Sequence, residues 1–121
     1  MITFQAQGGL GNQLFQYAAA RRLALRLGCQ LVIDHHWFDH PRPGETLRPL
    51  ELNRYPVAMR LATPLELLRW TPLRSRWGRY LKPLMPMNLV REHGHSVNRD
   101  VLLAPANSYL SGFWQIEAYF A

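Results

Sequence analysis

The sequence predicts an α/β domain, built on a parallel sheet with flanking helices. Three observations carry that reading. An alternating segment, Ile2 to Gln7, leads directly into the glycine cluster Gly8-Gly9-Leu10-Gly11. A stretch rich in Ala and Leu follows and stops at Gly28. A second short apolar run, Gln30 to Asp34, comes next. Strand, glycine turn, helix and strand form a βαβ unit, whose strands lie parallel with a right-handed crossover.

Each element has its own justification. In the first strand Ile2, Phe4 and Ala6 alternate with Thr3, Gln5 and Gln7, the period of a pleated strand. The helix is expected from about Asn12 to Leu27, since Ala18, Ala19, Ala20, Leu23, Ala24 and Leu25 are good helix formers. It is apolar around most of its circumference, with Arg22 and Arg26 on a narrow polar side, which predicts burial on more than one face. Gly28 stands where a C-terminal glycine stop belongs. Pro41, Pro43 and Gly44 mark a loop from His35 to Glu45. Leu47 to Val57 reads as an extended or turn segment. Thr63-Pro64-Leu65-Glu66 is a helix start with a capping box and proline at the first helical position. That helix should reach Trp70. Thr71-Pro72 restarts a second one towards Lys82, ended by Pro83 and Pro86. Asn107 to Gln115 reads as a strand with a glycine kink, and Ile116 to Phe120 opens a helix. Neither an internal repeat nor a domain boundary is visible, so residues 1–121 form one domain.

Composition narrows the function classes. Hydrophobic residues make up 48%, enough for a packed core and against disorder. The single cysteine, Cys29, rules out an intramolecular disulfide and a cysteine-rich metal site. The net charge is +6. From Leu67 to Arg91 there is no acidic residue, while Arg69, Arg74, Arg76, Arg79, Lys82 and Arg91 all fall there. Such a stretch suits polyanions, phosphorylated ligands or an anionic membrane surface, and equally a solvated arginine-rich face. The N-terminus shows no signal-peptide pattern, and no run approaches the roughly 20 apolar residues of a spanning helix. The expected location is the cytoplasm, with any membrane contact peripheral and made by the basic segment.

The strongest chemical signal is Gly8 to Ala18, GGLGNQLFQYA. Glycines after a strand let the backbone turn sharply and come close to a ligand. The helix start that follows carries unpaired N–H groups and a positive dipole end, a ready site for phosphate. Asn12 and Gln13 add side-chain donors and acceptors. Three readings are open. The glycines form only a tight turn. Alternatively, Gly9-Leu10-Gly11 with Asp34 at the end of the second strand forms part of a dinucleotide fingerprint. Against this, Leu14 occupies the place of the third glycine, where it should obstruct close helix–strand packing.

The third reading is a resemblance. GGLGNQLFQYA resembles the N-terminal signature of the family-11 α-1,2-fucosyltransferases. Further segments are similar in the same order: RLALRLG with the strand to Asp34, then Trp37-Phe38-Asp39. Leu47 to Pro56 and Tyr109 to Phe120 (YLSGFWQIEAYF) follow. The resemblance is loose from Met59 to Val101.

The resemblance implies the N-terminal part of an inverting GT-B glycosyltransferase, in which two Rossmann-like domains face a cleft. Such enzymes move fucose from GDP-fucose to the 2-hydroxyl of a galactoside, without an essential metal or other cofactor. The reaction needs a base for the acceptor hydroxyl, in-line placement of the oxocarbenium-like centre, and stabilisation of the departing diphosphate. No residue is singled out as the base. The family's H-x-R-R-x-D motif, which holds the donor, is not found; His93-Gly94-His95 and Arg21-Arg22 do not fit it. The expectation is therefore a half-site, with the C-terminal donor-binding domain lying outside these residues and little activity in this chain alone. Its partners would be a nucleotide sugar and a glycan acceptor, not nucleic acid. The apolar face that meets the other domain would favour self-association.

By the same resemblance Gly8, Gly9, Gly11, Asn12 and Gln13 should line the cleft and face the donor's phosphates and the transferred sugar. Asp34, at the carboxyl end of a strand, either meets the acceptor sugar or serves a cap or ion pair. Trp37 and Trp114 offer faces for sugar stacking, or pack in the core. Gln115 and Glu117 follow a strand end in the matching segment, where they either face the cleft and its substrate or serve the fold. His35, His36 and His40 lie beside Asp34 and Asp39, but loop spacing alone defines no metal geometry and none is assigned. Trp70 and Trp77, among the arginines, form either a membrane-surface patch or a helix contact. An oxidoreductase half-domain and a non-catalytic interaction module remain the alternatives to a transferase.

Overall fold

The computed structural model describes residues 1–41, 43–46, 48–74, 80, 85–92 and 99–119, apart from the side chains of Asp100 and Glu117. Strand β1 is Ile2–Gln5, helix α1 Leu10–Leu27 and strand β2 Leu31–Asp34. Then come a single helical turn, α2 (His36–Asp39), and a 3-10 turn at Leu52–Arg54. Strand β3 (Arg60–Leu61) precedes the short helices α3 (Pro64–Arg69) and α4 (Thr71–Arg74). Strand β4 (Asn88–Arg91), helix α5 (Arg99–Leu102) and strand β5 (Ser108–Ser111) follow, with a second 3-10 turn at Glu117–Tyr119.

The five strands form one sheet in the order β3-β2-β1-β5-β4, and every pairing is parallel. Ile2 sits between Leu31 and Ser108, and Phe4 between Ile33 and Leu110. This is an α/β, Rossmann-like arrangement. The chain builds outward from β1 through β2 to β3, then crosses to the far edge and returns through β4 to β5. The order therefore reverses between β1 and β5, and crevices that bind ligands form at such points, beyond the carboxyl ends of the strands.

Strand alternation divides the core into two layers. Ile2, Phe4, Leu31, Ile33 and Leu110 pack with Ala19, Ala20, Leu23 and Ala24 of α1, and with Val101 and Trp114. Val32 and Tyr109 face the other way and pack with Trp70, Leu73 and Met87. The side chain of Asp34 shares the side of Val32, which fixes its company.

Helix α1 starts at Leu10 rather than Asn12, with Gly9 as an extended N-cap that makes no side-chain cap bond. It ends as the sequence predicts. Gly28 adopts φ 63°, and the N–H of Cys29 donates to the carbonyl of Ala24 in a left-handed stop. Burial on several faces is not found. Gln13, Gln16, Ala19, Ala20, Leu23 and Ala24 form the buried stripe, while Leu14, Phe15 and Leu25 are exposed. The capping box at α3 is complete: Glu66 N donates to Thr63 Oγ1 and Thr63 N to Glu66 Oε1.

Other differences have local causes. The segment expected as a loop from His35 contains α2, whose first turn is started by Asp34 Oδ1 accepting from His36 N at 2.9 Å. The two-residue β3 is too short to show a period. Strand β4 lies in the basic segment, where charge hides its Leu89-Val90 centre. The last strand is shorter than Asn107 to Gln115, because the chain turns away after Ser111 and Trp114 takes the left-handed φ of 55°. The continuation of α4 to Lys82, together with Arg76, Trp77, Arg79, Pro83, His93, His95 and Phe120, lies outside the described residues.

Candidate functional site

The glycine loop sits at the reversal point. Gln5 ends β1, and Ala6 N still donates to Asp34 O at 3.0 Å, so the chain leaves the sheet only at Gln7. Gln16 then holds Gln7 on both sides: its Oε1 accepts from Gln7 N and its Nε2 donates to Gln7 O. Gly8 turns with φ 80°, a conformation that costs an L side chain, and a Cβ there would meet Asn12 Nδ2 at 2.6 Å.

Gln13 does not offer its amide to a ligand. It is fully buried, and its Nε2 donates to the carbonyls of Gly8 and Pro49. Its Oε1 accepts from the N–H groups of Glu51 and Leu52. Two donors and two lone pairs are all that a primary amide has, so its capacity is spent. Gln13 and Gln16, one helical turn apart, are thus internal clamps. One fastens segment 49–52 to the helix start, and the other fastens the end of β1.

Clamping Pro49 to Leu52 brings the preceding residues over the loop. Gly8, Gly9, Leu10, Gly11, Asn12, Trp37, Glu45, Thr46 and Arg48 enclose an open cleft of about 490 Å³. Arg48 was not singled out in the sequence. Its Nη1 lies 3.1 Å from where a Cβ on Gly9 would stand, so the bare backbone at Gly9 admits the guanidinium. Arg48 is exposed and Trp37 half-buried. On the opposite side, Gln115 Nε2 donates to Asn12 Oδ1 and ties the chain after β5 to the first turn of α1. Ser111 Oγ donates to Gln5 Oε1 at 3.2 Å nearby.

Asp34 and Trp114 lie elsewhere. Asp34 is fully buried, and its Oδ2 accepts from Arg74 Nη1 at 2.8 Å and from the Tyr109 hydroxyl at 2.6 Å. With His36 N on the other oxygen, the carboxylate takes the cap and ion-pair role. Burial, and then the carboxylate of Asp34, push the Tyr109 phenol well above its ordinary range. His36 is held below the usual imidazole range by burial first, then by the charges of Arg74 and His40. Trp114 is fully buried edge-on against Tyr119, and Glu92 Oε2 accepts from its backbone N–H. Of the two tryptophans named for stacking, only Trp37 borders the cleft.

His35, His36 and His40 do not converge. His35 Nδ1 pairs with Asp39 Oδ2 at 3.0 Å, and His36 stacks on His40 at 3.8 Å between ring centres. Among the described residues no group of three or more His, Cys, Asp or Glu could hold a metal. Among them, too, no helix is long and apolar enough to cross a membrane. Arg74, counted with the basic segment, is turned inward to Asp34 rather than towards solvent.

The remaining cleft has a defined chemistry. It combines a helix start whose first N–H groups lack intrahelical acceptors, a guanidinium, a carboxylate, a hydroxyl, an amide and an indole. Leu14, at the third-glycine place, is exposed and obstructs nothing. The dinucleotide reading instead loses its ribose-binding acid, because Asp34 is sealed.

No family model matches the chain, and no solved structure matches it. Over 85 residues it is 39% identical to the O-antigen biosynthesis glycosyltransferase WbnK of Escherichia coli. That match takes in 69% of this chain and 28% of the relative, so the chain corresponds to well under half of that protein. The chain is thus similar to a glycosyltransferase over most of its own length, and it places its glycine loop at the reversal point of a Rossmann-like sheet.

Proposed function

We propose that this chain is the N-terminal part of a nucleotide-sugar-dependent glycosyltransferase, and specifically of an inverting GT-B enzyme that moves fucose from GDP-fucose to the 2-hydroxyl of a galactoside. One observation carries the reading: the glycine loop, Gly8 to Asn12, faces an open cleft of about 490 Å³ at the reversal point of the sheet. The similarity to an O-antigen biosynthesis glycosyltransferase supports sugar transfer and suggests an O-antigen repeat as acceptor. Fucose, GDP and the 2-hydroxyl rest on the resemblance of GGLGNQLFQYA and the segments after it.

In this mechanism the start of α1 and the backbone at Gly9 and Gly11 face the donor's diphosphate and the sugar being transferred. Backbone donors aimed at a departing phosphate lower the barrier because they are already oriented when charge develops. Asn12, tied to Gln115, holds the loop in place from the side of β5. Gln13 acts through the fold, by fixing segment 49–52. A second domain would close the cleft and bring the arginines that neutralise the leaving group. The reaction would run in the cytoplasm without an essential metal, with the basic stretch 67–91 towards an anionic membrane. The sealing of Asp34 disfavours the dinucleotide alternative.

The test is transfer of labelled fucose from GDP-fucose to a β-galactoside. Protein expressed from the complete reading frame should form product, and these 121 residues alone little or none. Absence of transfer from a panel of nucleotide sugars, together with measurable NAD(P) binding, would overturn the reading.

A further inference from the structure

We infer that Trp37, Glu45 and Arg48 form a hexose subsite that seats the acceptor sugar beside the glycine loop. The inference rests on the transferase reading and names the part of the cleft that holds the acceptor. The three side chains, with Thr46, wall the same cleft as Gly8 to Asn12. Trp37 also borders a smaller recess with Phe38, Pro41, Glu45, Thr46 and Arg48, so the indole stands where two hollows meet.

The chemistry selects a neutral polyol over an anion. Glu45 and Arg48 contribute opposite charges, so the side-chain charge of this wall is zero. A phosphate would be attracted by Arg48 but repelled by Glu45. A sugar hydroxyl is both donor and acceptor, and vicinal hydroxyls can donate to a carboxylate while accepting from the planar guanidinium fork. The face of a galactoside that carries its axial C–H bonds is apolar and suits an indole. Position adds the last element. Arg48 reaches Gly9 itself, so a sugar held by Arg48 lies directly against the loop that would face the donor.

The probe is methyl β-galactopyranoside, followed by saturation-transfer NMR and by tryptophan fluorescence. The wild-type chain should bind it in the millimolar range. Trp37→Ala should remove the saturation transfer, and Arg48→Ala and Glu45→Gln should each weaken binding about tenfold. Gly9→Ala provides a second route should Trp37→Ala fail to fold. It leaves every core contact in place and pushes only the tip of Arg48, so it should weaken binding while the melting temperature stays near wild type. Absence of binding by the wild-type chain, or equal binding by folded Trp37→Ala, Arg48→Ala and Gly9→Ala, would overturn the subsite. Fucosyl transfer that persists when those substitutions are made in protein expressed from the complete reading frame, with an unchanged acceptor KM, would overturn the subsite alone. Galactoside binding that depends on Trp37, without transfer from any nucleotide sugar by protein expressed from the complete reading frame, would instead overturn the transferase reading.

Discussion

Strands β1 and β2 lie side by side, and Gln5 pairs in register with Asp34. Their carboxyl ends could hardly differ more. At the end of β2 a buried carboxylate gathers a guanidinium, a phenol and a backbone N–H, and no room is left. At the end of β1 the chain runs into glycines, and the partners of the loop are set back behind it, at Gln13 and Gln16. One end is closed by charge and the other is kept open by amides that point away from the opening. Strand ends in such sheets are equivalent places for a ligand, and what fills them decides which is used.

The closed end should hold the largest share of stability. Asp34→Ala leaves Arg74 and the Tyr109 hydroxyl buried without their acceptor, at a cost of about 3–5 kcal/mol in urea unfolding. Loss of less than about 1 kcal/mol would show that the network is solvated and the contrast false. Next comes the amide that frames the open end. Gln13→Ala strands two N–H groups and two carbonyls, and about 3 kcal/mol should be lost. The open end itself should be cheaper. Gly8→Ala forces a side chain into φ 80° and against Asn12, costing about 1–2 kcal/mol while reshaping the cleft. An unchanged galactoside affinity in that variant would separate the turn from the binding surface.

The smallest effect concerns the edge beyond β2. Arg60 donates two hydrogen bonds to Glu66, at 2.6 and 3.0 Å, and these hold the Glu66 carboxyl down to about 2. A lowered carboxyl contributes stability above its ordinary value, and that contribution is lost as pH falls towards the lowered one. Thermal melts of wild type should therefore weaken between about pH 4.5 and pH 2. Glu66→Gln should start lower and show a flatter decline over the same window. Identical slopes would remove the ion pair from the account.

What the sequence made legible follows from the range of the interactions involved. The first strand, the glycine stop at Gly28 and the capping box at Thr63 are set by residues within a few positions of each other, and each is found. The parallel pairing of β1 and β2 is also found, because a strand, glycine turn and helix allow few other arrangements. The role of Gln13 was not legible. Three of its four partners lie 36 to 39 positions away, and a glutamine beside a glycine loop reads equally as ligand donor or as clamp. Asp34 is a similar case, since Arg74 is 40 positions further on and Tyr109 is 75. Arg48 carried no local signal at all. It lies in an irregular segment, and only the clamp at Pro49 to Leu52 brings it over Gly9.

The place of β5 has a consequence for how the molecule comes into being. Of the five strands described, the middle one of the sheet is made first and one of its two neighbours last. β1 can pair with β2 as soon as Asp34 has left the ribosome. Its other edge, Ile2 to Phe4, must wait for Ser108 to Leu110. Until then an apolar strand edge stands open to any passing chain, and closing it requires contacts of very long sequence separation, which form slowly. The tie between Asn12 and Gln115 spans 103 positions, so the two sides of the cleft can meet only after Gln115 has been made. A nascent chain therefore carries this open edge for longer than a sheet built only of sequential neighbours would.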